Sequence, residues 1–213
     1  MNARERMLAR LAAHTMNIAE TIGDMDAYIA RHNRGPIPAI GRDLVACFRD
    51  RAAKLSSDVT TVSSLLEVPT TAAAYLRERN LPVEAVCWPE LETMDWRTAG
   101  ITVQARSAIG SDLVGITGAF CGIAETGTLM FLSGATTPAT VSLLPETHIA
   151  ILPASRVVSS MEDAWVLLRK EFGKLPRAVN FVSGPSRTAD IEQTVTLGAH
   201  GPYRVFIILT LSE

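Results

Sequence analysis

An α/β fold, with a mainly parallel sheet and helices on both faces, is predicted by three features of the 213-residue sequence. From Asp58 onward, short β-branched or apolar runs alternate with helical stretches, the pattern of strands interleaved with helices. The last two such runs, AVNFVSG (178–184) and YRVFIILTL (203–211), are continuously rather than alternately apolar, as in strands covered on both faces. A composition of 47% hydrophobic and 20% charged residues supplies a core large enough to cover them.

Residues 1–57 read as an N-terminal helical segment and residues 58–213 as the α/β domain. Ile18, Ile22, Met25 and Ile29 recur at helical spacing, as do Leu44, Phe48, Ala52 and Leu55. Between them NRGPIPAIGR (33–42) carries two prolines and two glycines, which end one helix and re-aim the chain. The segment reads equally as a partner-binding arm and as helices packed on the domain's own core. DVTTV (58–62) is the first strand. SLLE (64–67) fits a capping box before Pro69, with the helix starting at Thr70 or Thr71 and running through AAAYLRERN. VEAVCW (83–88), GITVQAR (100–106), DLVGITGAFCGIA (112–124) and GTLMFLS (127–133) are strand material, the last two joined by a turn. THIAILP (147–153) is a strand ending in proline. SMEDAWVLLRKEFG (160–173) is a helix with Ser160 as its N-cap and Gly173 past its end. The segments 83–88, 147–153, 178–184 and 203–211 are expected in one sheet, with helix 160–172 packed against it.

Charge and cysteine usage exclude several functions. A formal net charge of −2 and a pI near 6.1 give no electrostatic footprint for nucleic acid or an anionic membrane. No apolar run approaches the roughly 20 residues of a membrane span, and the N-terminus has no hydrophobic signal segment, so a cytoplasmic protein is expected. Cys47, Cys87 and Cys121 are widely spaced and read as free thiols in a reducing compartment. They cannot build a zinc site or a cysteine-ligated iron–sulfur cluster, so no metal site is expected on this chain.

One carboxylate stands out. The run from Ser107 to Ser155 has no Lys or Arg, and it holds three charges where the chain-wide 20% would give about ten. Within it, GIAETGTLMFLSG (122–134) sets Glu125 among small, apolar and hydroxyl-bearing residues. Such a carboxylate must be hydrogen-bonded or put to use. Thr126, Thr128 and the turn Ser183-Gly184-Pro185-Ser186-Arg187-Thr188 are the expected hydrogen-bond donors, in a shared cleft at strand ends. Gly127 and its small neighbours would let the backbone approach a ligand closely. The turn 183–188, followed by a helix, would form a small-anion site with Arg187 beside it. His200, in LGAHGPYR (197–204), lies between small residues before the last strand. Each stretch has a plain alternative: a capped turn, or a histidine with a structural role. The absence of G-x-S-x-G, G-x-G-x-x-G and a complete P-loop pattern argues against a serine hydrolase, a dinucleotide fold and a P-loop NTPase.

Three longer motifs, GIAETGTL, LLPETHIAILPASRVV and FVSGPSRTADIEQTVTLGAHGP, together with the opening RERMLARL, resemble the lactate-utilisation protein C family and its LUD domain. That resemblance implies a fold related to ribose-phosphate isomerases and coenzyme A transferases. It also implies participation in the oxidation of L-lactate to pyruvate, beside two iron–sulfur proteins that would hold the clusters this chain lacks. Two roles follow. One is an accessory subunit without a redox centre. The other is an enzyme using Glu125 as nucleophile or general base on a small carboxylate or phosphorylated substrate, since AETG is loosely similar to the S-E-N-G stretch of coenzyme A transferases.

Overall fold

A computed structural model describes residues 2–15, 25–31, 34–36, 38–191, 194–198 and 200–212. The chain divides into two compact units, Met1–Ile37 and Pro38–Glu213. In the first, helix α1 (Ala3–Thr15) opens on a reciprocal cap. The Glu5 amide donates to Asn2 Oδ1 (2.8 Å), and the Asn2 amide donates to the Glu5 carboxylate (2.9 Å). Residues 25–30 are also helical, whereas Ile18 and Ile22 of the expected periodicity lie outside the described residues.

The second unit is built on a six-stranded sheet. Its strands are β1 (Asp58–Val62), β2 (Glu84–Cys87), β3 (Thr102–Ala105), β4 (Val114–Gly118), β7 (Thr147–Pro153) and β12 (Arg204–Thr210). They lie in the order β1-β12-β7-β4-β2-β3, and every pairing is parallel. β7 and β12 are central, and their unbroken apolar sequences are buried along almost their whole length.

A four-stranded sheet, β8-β5-β6-β9, covers part of this core. It comprises β5 (Cys121–Ile123), β6 (Thr128–Leu132), β8 (Val157–Val158) and β9 (Val179–Val182). Strand alternation sorts its side chains: Leu129 and Phe131 join the main core, whereas Cys121, Ile123 and Met130 pack against Ala164 and Leu168. The latter two belong to helix α6 (Met161–Phe172), described below.

This arrangement corrects the one-sheet expectation. Segment 178–184 is a strand, but β9 is an edge strand of the smaller sheet, paired antiparallel with β6 and half-exposed. Helix α6 packs on that smaller sheet as well. Apolar continuity alone does not tell a central strand from the edge of a second sheet.

The helices follow their capping signals. Asp43 caps α2 (Leu44–Lys54) by accepting from the Ala46 amide at 3.0 Å, and α2 buries Phe48 and Ala52. The division between units therefore falls at 37/38 rather than at the composition change near Asp58, because α2 contributes to the sheet's own core. Helix α3 (Val68–Glu78) begins before Thr70, with Pro69 in its first turn, where the missing N–H costs nothing. Short helices α4 (Trp96–Ala99) and α5 (Thr140–Leu143) follow. For α6, Ser160 Oγ accepts from the Asp163 amide at 3.2 Å, and Gly173 ends the helix at positive φ. After Ser186 the expected helix is absent. β10 (Arg187–Ile191) and β11 (Thr194–Leu197) form an antiparallel hairpin, since Thr188, Ile191, Thr194, Val195 and Thr196 favour extended backbone.

Candidate functional site

The motif residues meet at the C-terminal end of α2. Glu125, Thr126 and Gly127 occupy the turn between β5 and β6, and Ser183 follows β9. The pairing of β6 with β9 brings these two turns side by side. Thr126 Oγ1 donates to Thr128 Oγ1 at 2.7 Å, and Thr128 Oγ1 lies 2.7 Å from Ser183 Oγ, a chain of three hydroxyls joining the motifs. Helix α2 seals the pair. Arg51 Nη1 donates to the Glu125 carbonyl, and Arg187 Nη2 donates to Ser56 Oγ just beyond the helix. At Gly127 (φ +70°) a Cβ would overlap the Ala52 amide nitrogen, and at Gly184 (φ +80°) it would overlap the Leu55 carbonyl. The small residues thus admit the backbone of α2, where the sequence suggested a ligand.

The remaining residues extend this joint. The Ser186 amide donates to the Pro202 carbonyl (2.9 Å), and the His200 amide reaches Ser186 Oγ (3.3 Å). Thr188 lies in β10. Pro185 sits within the same turn, between Gly184 and Ser186. The Glu125 amide donates to the Ser159 carbonyl at 2.9 Å, yet its half-buried carboxylate has no hydrogen-bond or ion-pair partner among the described residues. The expected donors are engaged elsewhere: Thr126 with Thr128, and Thr128 with Ser183. Neither turn lies at the carboxyl end of a strand of the six-stranded sheet.

A different place does. β2 connects onward to β3 on one side, whereas β4 connects through the smaller sheet to β7 on the other. The chain therefore changes direction between neighbouring strands β2 and β4, and open α/β sheets bind ligands outside the carboxyl ends at such a point. There the structure has a cleft of about 540 Å³, with Trp88, Glu90, Phe120, Arg156, Phe172 and Lys174 on its walls. Arg156 fixes one wall. It donates to the Phe120 carbonyl (2.8 Å), lies 4.6 Å from that ring's centre, and pairs with both oxygens of Glu171 (2.6 and 3.0 Å). The Arg156 hydrogen bonds hold the Glu171 carboxyl below its usual range.

None of these residues was singled out by the sequence. The signal available was VCWPE, an aromatic residue and an acid at the end of a strand. The missing information was strand order, which decides the point of reversal.

Elsewhere, buried His148 on β7 pairs through Nε2 with Thr117 Oγ1 at 2.8 Å, and its Nδ1 has no partner among the described residues. Burial pushes its pKa down to about 3. Burial also pushes the Cys87 thiol up to about 11 and the Cys121 thiol up to about 12. Among the described residues, no three His, Cys, Asp or Glu side chains group as metal ligands, and no helix is long and apolar enough to cross a membrane.

Comparison with known proteins places these features in a family. The LUD domain matches residues 49–210, from within α2 to the end of β12. Lactate utilization protein C of Exiguobacterium sp. is 36% identical over 80% of this chain and 72% of its own length. The protein of the same name from Bacillus subtilis is 39% identical over 56% of this chain and 55% of its own length. Several other such relatives are matched over less than half of their length. A crystal structure of a DUF162-family protein from Deinococcus radiodurans shares the fold, with a TM-score of 0.61 and 21% identity over 82% of this chain and all of its own. The chain belongs to the LUD-domain family of lactate utilization protein C.

Proposed function

We propose that the protein serves the oxidation of L-lactate to pyruvate in the cytoplasm, as an accessory subunit without a redox centre that works with iron–sulfur partner proteins. The observation that carries this reading is the use made of the family motifs. Their glycines and hydroxyls are spent on seating α2 between two turns, which suits a subunit built to assemble rather than to turn over substrate at that point. The names of the relatives support lactate utilisation as the setting. Cluster ligation takes four thiolates, whereas the sequence has three widely spaced cysteines, of which Cys87 and Cys121 are buried.

A second reading rests on one observation. The Glu125 carboxylate has no partner among the described residues and stands ready as nucleophile or general base toward a small carboxylate or phosphorylated substrate.

Purification from the native host, with iron analysis, tests the first reading. The isolated chain is expected to be colourless and free of stoichiometric iron, and its complex is expected to contain iron. A chromophore on the isolated chain would overturn it. In a deletion strain grown on L-lactate, Glu125→Gln separates the two readings: normal growth removes the catalytic one, and loss of growth with an unchanged melting temperature supports it.

A further inference from the structure

We propose that the cleft between the ends of β2 and β4 binds a planar nitrogen heterocycle bearing an anionic group, a ligand of mononucleotide size. This goes beyond the lactate reading and stands independently of it.

Position is the first ground. The cleft lies at the reversal of strand order, outside the carboxyl ends of parallel strands. Its volume of about 540 Å³ falls within the roughly 300–1,000 Å³ of small-molecule sites.

The second ground is its unspent chemistry. Trp88 is committed, its indole N–H donating to the Pro138 carbonyl at 3.2 Å, and Arg156 is committed to Phe120 and Glu171. The Glu90 carboxylate and the Lys174 ammonium have no hydrogen-bond or ion-pair partner among the described residues. Glu90 lines the cleft with its side chain exposed. A Cβ on Gly118, the last residue of β4, would lie 2.9 Å from Glu90 Oε1 and 3.7 Å from the Trp88 ring. The carboxylate therefore rests near the end of β4 and near the indole. At the rim Phe172 packs edge-on against Phe120, with ring centres 5.9 Å apart, and still keeps 59% of its surface exposed.

These groups define the ligand. A carboxylate only accepts, so the ligand must present N–H or O–H donors toward Glu90. An ammonium only donates, so it must present an acceptor, best an anion, toward Lys174. The cleft is also lined by Trp88, Phe120 and Phe172, and a flat ring packs against such side chains with offset or edge contacts. A donor edge, a flat ring and a negative group describe a nucleobase monophosphate, or a larger fused heterocycle carrying phosphate.

Calorimetric titration of the full chain with AMP, GMP and FMN, each to about 1 mM, is the test. At least one is expected to bind saturably, and which one distinguishes a simple base from a fused ring system. Glu90→Gln is expected to weaken binding by roughly tenfold to a hundredfold. Lys174→Ala should weaken the phosphate-bearing probe while leaving its nucleoside or riboflavin parent unaffected. Both side chains are exposed, so both variants should melt with the unaltered chain. Failure of all three probes to bind, or binding that neither substitution changes, overturns the proposal.

Discussion

A methyl group at Gly127 would have to occupy the place of the Ala52 amide, in a backbone conformation that L-residues avoid. Positive φ alone costs about 1–2 kcal/mol, and overpacking adds about 1–3 kcal/mol. Gly173 is the internal control, because it shares the positive φ but has open space around its Cβ position. Gly127→Ala is therefore expected to lower the thermal midpoint clearly more than Gly173→Ala, by about 2–4 °C per kcal/mol of difference in a chain of this size. Equal shifts in differential scanning calorimetry would show that α2 does not press on the turn. At this scale the sequence grouped residues that lie together, but gave a ligand as the reason. Glu125, Thr126, Gly127, Thr128, Ser183 and Gly184 do gather in space, but the partner for their small side chains is a helix 70 or more residues earlier in the chain. Local spacing carries no trace of such a contact.

Helix α2 shows the same limit one level up. Its periodicity was legible, yet whether it belonged to an arm or to the core was not. Phe48 decides the matter: it is fully buried in the main cluster and packs close to Gly122. Phe48→Ala is expected to cost about 3–5 kcal/mol, measurable by urea unfolding, whereas a side chain on a detachable arm would cost almost nothing. Strand boundaries were legible almost to the residue for 58–62 and 147–153, where β-branched and apolar runs are bounded by turn residues. The hairpin of β10 and β11 was not, because acidic and hydroxyl residues after a Gly-Pro turn also describe a helix start, and the β-branched residues outweighed them.

For the molecule as a whole, strand order was the illegible quantity, and with it the cleft. pH reports on the same parallel core through His148, between β4 and β12. Its pKa in the unfolded chain is near 6.5, and burial holds it at about 3 in the fold, so below pH 6.5 the unfolded state takes up a proton that the folded state refuses. The stability is complete above pH 6.5 and is lost as pH falls toward 3, by at most about 1.4 kcal/mol per pH unit. Asp112 and Glu171, held below the usual carboxylate range by hydrogen bonds from Arg106 and Arg156, lose stability with the same sign. Their share begins only below about pH 5. Urea midpoints should therefore fall between pH 7.5 and 5.5 in the unaltered chain and stay flatter in His148→Gln. The smaller sheet has a mechanical consequence. β5 begins beside Phe120 in the cleft and ends at the Glu125 turn, and β6 runs back from Thr128 to Leu132 in the cleft wall. The hairpin is a strut roughly 10 Å long, loaded at one end by whatever enters the cleft and at the other by whatever grips the turn. A filled cleft should stiffen the far end, seen as slower deuterium uptake at the Gly127 amide, which donates to the Ile123 carbonyl; unchanged uptake would mean that the strut bends.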